Sequence, residues 1–326
     1  MSDERVIAID LGGTHIRVAV VSRAGDLDHK EQIATEADQG PQHVIDRMGD
    51  LVTRVAKDAG LANDVPIGVA SPGPLDVRAG VVLFTPNLPG WRDVEITTLL
   101  SEATGRSVVI QNDGNCAALG EVQFGGAKGV KDLVYLALGT GVGGGVISNG
   151  MLVDGVRGLG AEVGHVTVAM DGPRCTCGSI GCLEAFVGGW AIARDAAIVA
   201  TTDDGQTLAR LAAGQPISAR IVAEAAAAGD PAAQAILERA GRALGAAMGA
   251  FANVFNPRLF VIGGGVGALG ATLLAPARAA MANHAFPRNR KMARIEHSRL
   301  GDDTALLGAA ALAMDMPTVP VSLTPG

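Results

Sequence analysis

A strand–glycine–strand pattern occurs twice in this 326-residue sequence and limits what the chain can fold into. The first copy is VIAIDLGGTHIRVAVV at 6–21, and the second is LVYLALGTGVGGGVIS at 133–148. In each copy a short Gly-rich link joins two apolar runs, which is typical of a hairpin of buried strands. The repeat predicts that the chain contains two related domains.

Other segments alternate between strand and helix patterns. In residues 41–60, apolar side chains recur at helical spacing between Pro41 and Gly60, which predicts a helix with its start and stop signals. Further strands are predicted at 27–36, 65–71, 107–112 and 258–264, and further helices from 113 onward and over 204–255, 269–284 and 302–314. This alternation predicts the α/β fold class.

The net charge of −7 disfavours a nucleic-acid-binding surface, because such surfaces cluster Lys and Arg. The uncharged stretches 133–153 and 259–277 are about as long as a membrane-spanning helix, which needs roughly 20 residues. Their many glycines, and Pro276 in the second, favour strands and turns instead. The start of the chain predicts no secretion signal, since acidic residues precede a short apolar run. We therefore expect a cytoplasmic protein that binds neither nucleic acid nor membrane.

Three of the four cysteines fall in the run CTCGSIGC, as Cys175, Cys177 and Cys182, and His165 precedes them. A glycine-assisted turn could bring the three thiolates together, and His165 would complete a Cys₃His zinc site. The alternatives are incidental thiols or a disulfide, and a disulfide is disfavoured in a reducing compartment. Four protein ligands leave no open position, so the predicted zinc would be structural.

Two Gly-rich links could let backbone N–H groups approach a phosphate. They contain Gly12, Gly13 and Thr14 in the first hairpin, and Gly139, Thr140 and Gly141 in the second. For either link alone, a tight hairpin turn is the simpler interpretation. No GxxxxGK[ST] motif occurs. GVGALG at 265–270 matches GxGxxG, but no acidic residue lies between 256 and 296, which disfavours a dinucleotide site.

Taken together, these and several other motifs resemble the ROK family of sugar kinases. They are DLGGT at 10–14, SPGP at 71–74, NLPGW at 87–91, Asn112-Asp113, LGTGVG at 138–143, EVGH at 162–165, CTCGSIGCLE at 175–184 and GGG at 263–265. The series spans most of the chain, and EVGH followed by the cysteine run is its most specific part. The fructokinase-like branch carries a second His within the metal motif. This sequence has CTCGSIGC there, which favours the glucokinase branch.

The resemblance implies the actin-like architecture of sugar kinases, which is related to ribonuclease H: two α/β domains with a cleft between them. Combined with the internal repeat, it predicts a small domain formed by 1–112 and 302–316. A large domain, 113–301, would carry the zinc loop, and 317–326 would be a loose tail. The implied activity is ATP-dependent transfer of the γ-phosphoryl group to the 6-hydroxyl of an aldohexose, with glucose expected.

The resemblance also implies roles for individual residues. Asp113 matches the catalytic base, although Asp at a helix start is often only an N-cap. Gly73 falls in the substrate site, and the residues that match hexose ligands are Asn87, Asn112, Glu162, His165 and Glu184. Gly12, Gly13, Thr14, Gly139, Thr140 and Gly141 match phosphate contacts, and Gly263, Gly264 and Gly265 lie near the adenosine. Asp10 could hold Mg²⁺ through water, or it could be a solvated loop acid.

Several alternatives stay open. The family includes sugar-responsive repressors, but these carry a helix-turn-helix domain before the first strand, which here begins near Arg5. The hexose could be N-acetylglucosamine, N-acetylmannosamine, mannose or fructose, and polyphosphate could replace ATP. The segment Gly188-Gly189-Trp190 stands where a Ser-Gly-Thr-like run is common, and for Trp190 we expect packing. We expect a homo-oligomer, a dimer or a tetramer, and the residues do not fix which.

Overall fold

The structure is a computed structural model that describes residues 5–85 and 87–314. Its packing divides the chain into two compact units. The first consists of 1–131, 145–161 and 302–326, and the second of 132–144 and 162–301. The predicted tail, 317–326, lies outside the described residues.

The described residues form strands and helices in a mixed order. The strands β1 to β13 are Arg5–Leu11, His15–Ser22, Leu27–Ala34, Ile67–Ser71, Leu75–Asp76, Val81–Phe84, Arg92–Val94, Val108–Asn112, Leu133–Leu138, Val142–Ser148, Met151–Leu152, Leu259–Gly263 and Arg294–His297. The helices α1 to α11 are Pro41–Asp58, Ile96–Thr104, Asp113–Gln123, Glu184–Val187, Gly189–Val199, Gln206–Ala212, Ala219–Ala227, Pro231–Phe255, Ala271–His284, Pro287–Met292 and Thr304–Ala313.

The first unit is built on a five-stranded sheet with the order β3-β2-β1-β4-β8. Strand β1 is antiparallel to β2 and parallel to β4, and β4 is parallel to β8. On one face, Ile7, Ile9 and Leu11 pack into an apolar core with the buried side of α1. The other face is covered as well, because a side chain at Gly68 would collide with the Ala309 carbonyl of α11. Burial on both faces explains why β1 is a nearly continuous apolar run.

Helix α11 also packs against α3 in the first unit, and glycines allow the close approach. A Cβ at Gly120 would lie 2.6 Å from the Thr304 carbonyl oxygen, and one at Gly308 would lie 1.6 Å from that of Cys116. Both distances are far below any real contact, so these helices could not cross here with larger residues. A smaller antiparallel sheet, with the order β5-β6-β7, completes this unit.

The other five-stranded sheet has the order β11-β10-β9-β12-β13. Strand β12, in the second unit, is parallel to both β9 and β13. Helices α8 and α9 pack closely there along Gly241, Gly245 and Gly249, which recur every four residues and face α9 or the residue that follows it. This spacing puts the three glycines on one helix face, so a small-residue stripe forms the contact.

The structure confirms the α/β class, both predicted hairpins and the predicted helix at 41–60, which ends at Asp58. The Ala-rich region predicted as helical contains α6, α7 and α8. Strands β5, β6, β7, β11 and β13 and helices α2, α4, α5 and α10 were not predicted. The domain boundary after 112 stays a prediction; by packing, α3 belongs with α11 in the first unit.

Neither of the two long uncharged stretches is a membrane-spanning helix. Within 5–85 and 87–314, no helix has the length and apolarity needed to cross a bilayer. The stretch 133–153 folds as β9, β10 and β11, and the stretch 259–277 begins with β12 and ends inside α9. Both stretches therefore fold as strand, turn and next element, as the sequence predicted.

Candidate functional site

A cavity of about 540 Å³ opens in the first unit. It is formed by the β1–β2 turn, the loop at 87 and the start of α3. Its lining includes six residues that the sequence predicted for the site, namely Asp10, Gly12, Gly13, Thr14, Asn87 and Asp113. Asp302, which precedes α11, and Ala305 in its first turn also line the cavity. Segments that are distant in sequence therefore meet at one place.

Asp10 lies at the cavity as a buried carboxylate paired with Arg17. The antiparallel register of β1 and β2 places Arg17 directly opposite Asp10, and an Arg17 Nη2–Asp10 Oδ2 ion pair forms. Arg17 also donates a hydrogen bond of 2.7 Å to the Asp302 carbonyl oxygen. Burial raises the pKa of Asp10 above its ordinary value, and the neighbouring Arg17 opposes that rise. Asp10 is thus an inward-facing acid and not a solvated loop acid.

The β1–β2 turn is held by hydrogen bonds and by a close packing contact. The Gly12 N–H donates to the His15 carbonyl oxygen at 2.9 Å, and the Thr35 hydroxyl donates to the Gly12 carbonyl oxygen at 2.7 Å. A Cβ on Gly13 would stand 2.7 Å from the Asn87 carbonyl oxygen. Only glycine lets the turn approach Asn87 this closely.

Asp113 is the first residue of α3 and is exposed, whereas the residues after it are buried. The Gly114 N–H lies 2.9 Å from Asn112 Oδ1 and 2.7 Å from Asp113 Oδ1. Asn112 is therefore the residue that caps the helix. Parallel pairing of β4 and β8 sets Ser71 beside Asn112, and Gly73 follows within reach of the Asn112 side chain.

In the second unit, the His and Cys residues predicted to bind zinc lie together. The candidate ligand atoms of His165, Cys175, Cys177 and Cys182 are all within 4.8 Å of one another. Cys175 Sγ is 3.7 Å from His165 Nδ1, and Cys177 Sγ is 3.7 Å from Cys182 Sγ. Zn–S bonds of about 2.3 Å in a tetrahedron give S–S edges of about 3.8 Å. The spacing and the donor set therefore suit a four-coordinate Zn²⁺.

The thiols of this cluster share hydrogen bonds. Burial raises the pKa of Cys182, and a hydrogen bond with Cys177 adds to the rise, which brings it to about 12. Burial also acts to raise the pKa of Cys177, but hydrogen bonds with Ser179, Cys175 and Cys182 outweigh it and bring the value to about 7. A thiolate is thus accessible near neutral pH, which is the form that binds metal.

Glu184, the first residue of α4, is buried and receives hydrogen bonds from several segments. The Val142 N–H donates to Oε2 at 3.0 Å. Oε1 accepts from the Thr176 hydroxyl at 3.1 Å, from Trp190 Nε1 at 3.4 Å and from the Cys175 thiol at 3.5 Å. The carboxylate therefore joins the β9–β10 turn to the cysteine cluster. Glu162, in contrast, is exposed, and its carbonyl oxygen accepts a hydrogen bond from the His165 N–H.

The two predicted nucleotide segments of the second unit lie side by side. Parallel pairing of β9 and β12 sets Gly263 beside Ala137, and the Val266 N–H donates to the Leu138 carbonyl oxygen at 2.8 Å. Gly264 has a φ of 81°, and a Cβ there would stand 2.3 Å from the Leu138 carbonyl oxygen. In contrast, a Cβ on Gly139 or on Gly265 would meet no described atom within 4 Å. Open space thus adjoins these two glycines.

The sequence analysis missed Arg17, Thr176 and Asp302 as site residues, and it assigned only packing to Trp190. Arg17 could have been found, because the hairpin register that follows from a four-residue link places it opposite Asp10. Asp302 and Thr176 carry no comparable signal, since tertiary packing alone brings them to their partners. The indole N–H of Trp190 donates to Glu184, while its ring packs against Cys175 and Cys182.

The glycine turns, the capped Asn112-Asp113 segment and the Cys₃His cluster define a class, the sugar kinases with the two-domain actin-like fold. The family model for the ROK family matches residues 6–316. The chain belongs to the ROK family.

The similarity to known relatives and to solved structures extends along almost the whole chain. A glucokinase from Thermotoga maritima is 36% identical, over 94% of this chain and 96% of that relative. A ROK hexokinase structure from Thermus thermophilus has a TM-score of 0.82 at 35% identity and covers 95% of this chain and 98% of its own. A ROK family glucokinase from Streptomyces griseus, solved with glucose and AMPPNP, has a TM-score of 0.80 at 33% identity, with 95% and 99% covered.

Proposed function

We propose that this chain is an ATP-dependent kinase of the hexokinase type that phosphorylates glucose at its 6-hydroxyl. The observation that carries the proposal is the cavity of the first unit, which holds Asp113 together with the glycine turn of 12–14 and with Asn87. An acid that can take a proton therefore lies within one cavity beside backbone amides that can bind phosphate. The glucose and AMPPNP bound by the Streptomyces griseus relative support the choice of hexose and donor.

In the proposed reaction, Asp113 accepts the proton of the 6-hydroxyl as the O6–P bond forms. The bond between the γ-phosphorus and the β,γ-bridging oxygen breaks, and ADP leaves. Phosphoryl transfer has a loose transition state, so the base mainly orients the hydroxyl and takes its proton late. An exposed carboxylate is suited to this task, because it does not need a strongly shifted pKa.

The glycine turns act on the phosphates. The turns formed by Gly12, Gly13 and Thr14 and by Gly139, Thr140 and Gly141 are proposed to stabilise the charge of the phosphates through backbone N–H groups. The N–H groups of Gly12 and Gly139 hold the turns themselves, since they donate to the His15 and Gly141 carbonyl oxygens. Gly263, Gly264 and Gly265 adjoin the second turn and are proposed to lie near the adenosine. Asp10, which Arg17 engages through Oδ2, is the residue that would hold Mg²⁺ through water. Mg²⁺, when bound, would offset the negative charge of the phosphates.

Hexose recognition is proposed to use Asn87, Asn112, Glu162, His165 and Glu184, with Gly73 close to Asn112. Carboxylates accept paired hydrogen bonds from neighbouring hydroxyls. His165 directs Nδ1 toward the cysteines, which leaves Nε2 for a hydroxyl. A site built for such hydrogen bonds strongly rejects sugars that lack the matching group, since its own polar atoms would be left unpaired.

The Cys₃His cluster is proposed to hold one structural Zn²⁺. The metal would fix the orientation of the His165 ring by binding one ring nitrogen, which leaves the other nitrogen for a hydrogen bond. Binding at a closed site of this kind also contributes to folding. A homo-oligomeric state and a cytoplasmic location remain predictions from the sequence.

The test is a substrate panel with the purified protein and ATP-Mg²⁺. Glucose, N-acetylglucosamine, N-acetylmannosamine, mannose and fructose are compared by kcat/KM, and phosphorus NMR identifies the phosphorylated hydroxyl. We expect glucose to give the highest value and 6-phosphate to be the product. A higher kcat/KM for another hexose would contradict the glucose assignment, and a faster reaction with polyphosphate would contradict the donor. Hexose binding without turnover would indicate a sugar-sensing regulator instead.

A further inference from the structure

Trp190 lies where three segments of the second unit meet. Its backbone N–H donates to the Thr140 carbonyl oxygen at 3.1 Å, next to a similar bond of 2.9 Å from Gly189 to Gly139. Its indole Nε1 donates to Glu184 Oε1 at 3.4 Å. Its ring packs against the buried cluster formed by Cys175, Cys182 and Ala185. One residue thus contacts the β9–β10 turn, the buried carboxylate and the cysteine cluster.

The β9–β10 turn also holds Glu184 directly. The Val142 N–H donates to Oε2 at 3.0 Å, and a Cβ on Gly141 would lie only 2.5 Å from that same oxygen. The carboxylate is therefore fixed at both ends, with Oε2 on the turn and Oε1 on the indole. Because interiors are close-packed, a shift of the turn must be passed on to the carboxylate.

The indole is itself held in place by charged side chains. The Arg194 guanidinium carbon lies 5.2 Å from the centre of the Trp190 ring, within the range of a cation–π interaction. Arg194 Nη2 donates to the Ala185 carbonyl oxygen at 3.1 Å and to Asp195 Oδ1 at 2.6 Å. Asp195 also binds Arg239 at 2.8 Å. The ring is held by Arg194 and by the cysteine cluster, and its N–H donates to Glu184.

We propose that Trp190 is a positioning residue that couples the Gly139–Thr140 turn to the Glu184 carboxylate. The inference rests on the proposed function, in which the turn binds nucleotide and Glu184 binds a hexose hydroxyl. Binding of either ligand then orders the element that the other one needs. Since such coupling is reciprocal, nucleotide tightens hexose binding by the same factor as hexose tightens nucleotide binding.

The test compares the wild type with Trp190→Phe, which keeps an aromatic ring and removes the N–H. Calorimetry measures the Kd of glucose with and without AMPPNP. We expect glucose to bind severalfold more tightly to the wild type when AMPPNP is present. In Trp190→Phe we expect this factor to fall well below the wild-type value, with the remainder carried by the Val142 bond to Oε2. The KM for glucose should rise about tenfold, as loss of a hydrogen bond to a charged group predicts.

Thr176→Val is the matched control. It removes another donor to the same oxygen, Glu184 Oε1, but Thr176 belongs to the cysteine loop and makes no link to the turn. We expect weaker glucose binding in this variant, but AMPPNP should still tighten glucose binding by the wild-type factor (the AMPPNP factor). An equal loss of that factor in Thr176→Val, or its survival at the wild-type value in Trp190→Phe, would overturn the proposal.

A second measurement does not depend on the Trp190 variant folding. The chain has two tryptophans, so Trp91→Phe leaves Trp190 as the single indole. Its emission should change on addition of glucose alone and also of AMPPNP alone. Emission that responds to neither ligand would refute the coupling. A wild type that phosphorylates glucose but shows no AMPPNP factor would refute this inference alone, whereas a wild type that phosphorylates no hexose counts against the proposed function.

Discussion

The two glycine turns share one sequence pattern but are supported in different ways. In the β1–β2 turn, Gly13 is pressed against the backbone of Asn87, and Asp10 before it is tied to Arg17. In the β9–β10 turn, Gly139 faces open space, and the amide of Val142 is bonded to a carboxylate from a distant helix. Each turn is closed by a hydrogen bond within its own hairpin. The first also packs against a neighbouring backbone, whereas the second is held by the Glu184 carboxylate and by the amides of Gly189 and Trp190.

This difference shows that a repeated motif fixes a backbone shape but not its surroundings. The first turn shares a cavity with Asp113, an acid suited to accept a proton, and the second is bonded to Glu184 through Val142. We therefore assign phosphoryl transfer to the cavity at the first turn. We assign the coupling with Glu184 to the second turn. The variants below test this division.

The largest effect is expected from Asp113→Asn, which removes the proposed base beside the first turn. Loss of a general base typically lowers the rate by about 10² to 10⁴, so kcat should fall by that factor while the Kd for glucose stays close to the wild-type value. Asn112 and not Asp113 caps α3, so the helix keeps its cap and stability should change little. Steady-state kinetics and calorimetry measure both.

Asp230→Asn is the control for that experiment. Asp230 caps α8 in the second unit through the Ala233 N–H at 2.8 Å, so the same substitution is made at another helix start. Its kcat should be unchanged. Near-normal turnover of folded Asp113→Asn would show that Asp113 only supports the start of α3.

The next effect concerns the metal cluster that stands behind the second turn. Cys177→Ala should lose the single zinc that we expect per chain, and the KM for glucose should rise far more than the KM for ATP, since His165 and Glu184 lose their support. Changes of this kind in the surroundings of metal ligands cost about 10- to 100-fold. Elemental analysis of protein purified without added metal or chelator measures the zinc.

Cys116→Ala is the control, because Cys116 is buried in α3, outside the cluster. It should keep its zinc and its KM for glucose. Wild-type protein with much less than one zinc per chain would remove the structural role that we propose for the cluster.

A smaller effect is expected at the ion pair of the first hairpin. Arg17→Ala leaves the Asp10 carboxylate buried without its partner, which should lower the free energy of unfolding at pH 7 by about 2 kcal/mol, less than for a fully buried pair. Burial already raises the pKa of Asp10, and loss of Arg17 raises it further. The penalty should therefore be absent below the ordinary pKa of aspartate and grow as the pH rises through the folded-state pKa.

Urea unfolding at several pH values checks this prediction. The double variant Asp10→Asn with Arg17→Ala should be less destabilised than the sum of the two single variants, because the buried charge is gone. A pH-independent loss in Arg17→Ala would mean that the arginine acts through its bond to the Asp302 carbonyl and not through Asp10.

The last pair of variants separates the two turns directly, with effects of similar size. Gly139→Ala adds a methyl group to space that no described atom occupies, so the melting temperature should not change, and the KM for ATP should rise about tenfold because nucleotide needs that space. Gly13→Ala forces a contact with the Asn87 backbone and should lower stability by about 1–3 kcal/mol. Thermal unfolding and ATP kinetics are measured on both variants. If the two variants change melting temperature and KM for ATP equally, the two turns are not supported differently.

The sequence predicted the features that depend on local pattern. Both hairpins and α1 agree with the structure, because apolar periodicity and glycine links determine strands and turns. The shared cavity of Asp10, Asn87 and Asp113 depends on tertiary packing, and only the family resemblance pointed to these residues. The strands β5, β6 and β7 have two to four residues each, and runs this short carry too little alternation to be recognised. The contact of Trp190 with Thr140 depends on tertiary packing alone, so no spacing in the sequence could reveal it.

The contact between α3 and α11 has a consequence for how the chain is made. Helix α11 closes one face of the first sheet, yet it is translated after every residue of the second unit. While the ribosome synthesises residues 162–301, the nascent first unit must therefore wait with Gly68 and Gly120 uncovered. The second unit can fold before synthesis ends, because all of its residues precede 302. The first unit can close only when 304–313 emerge.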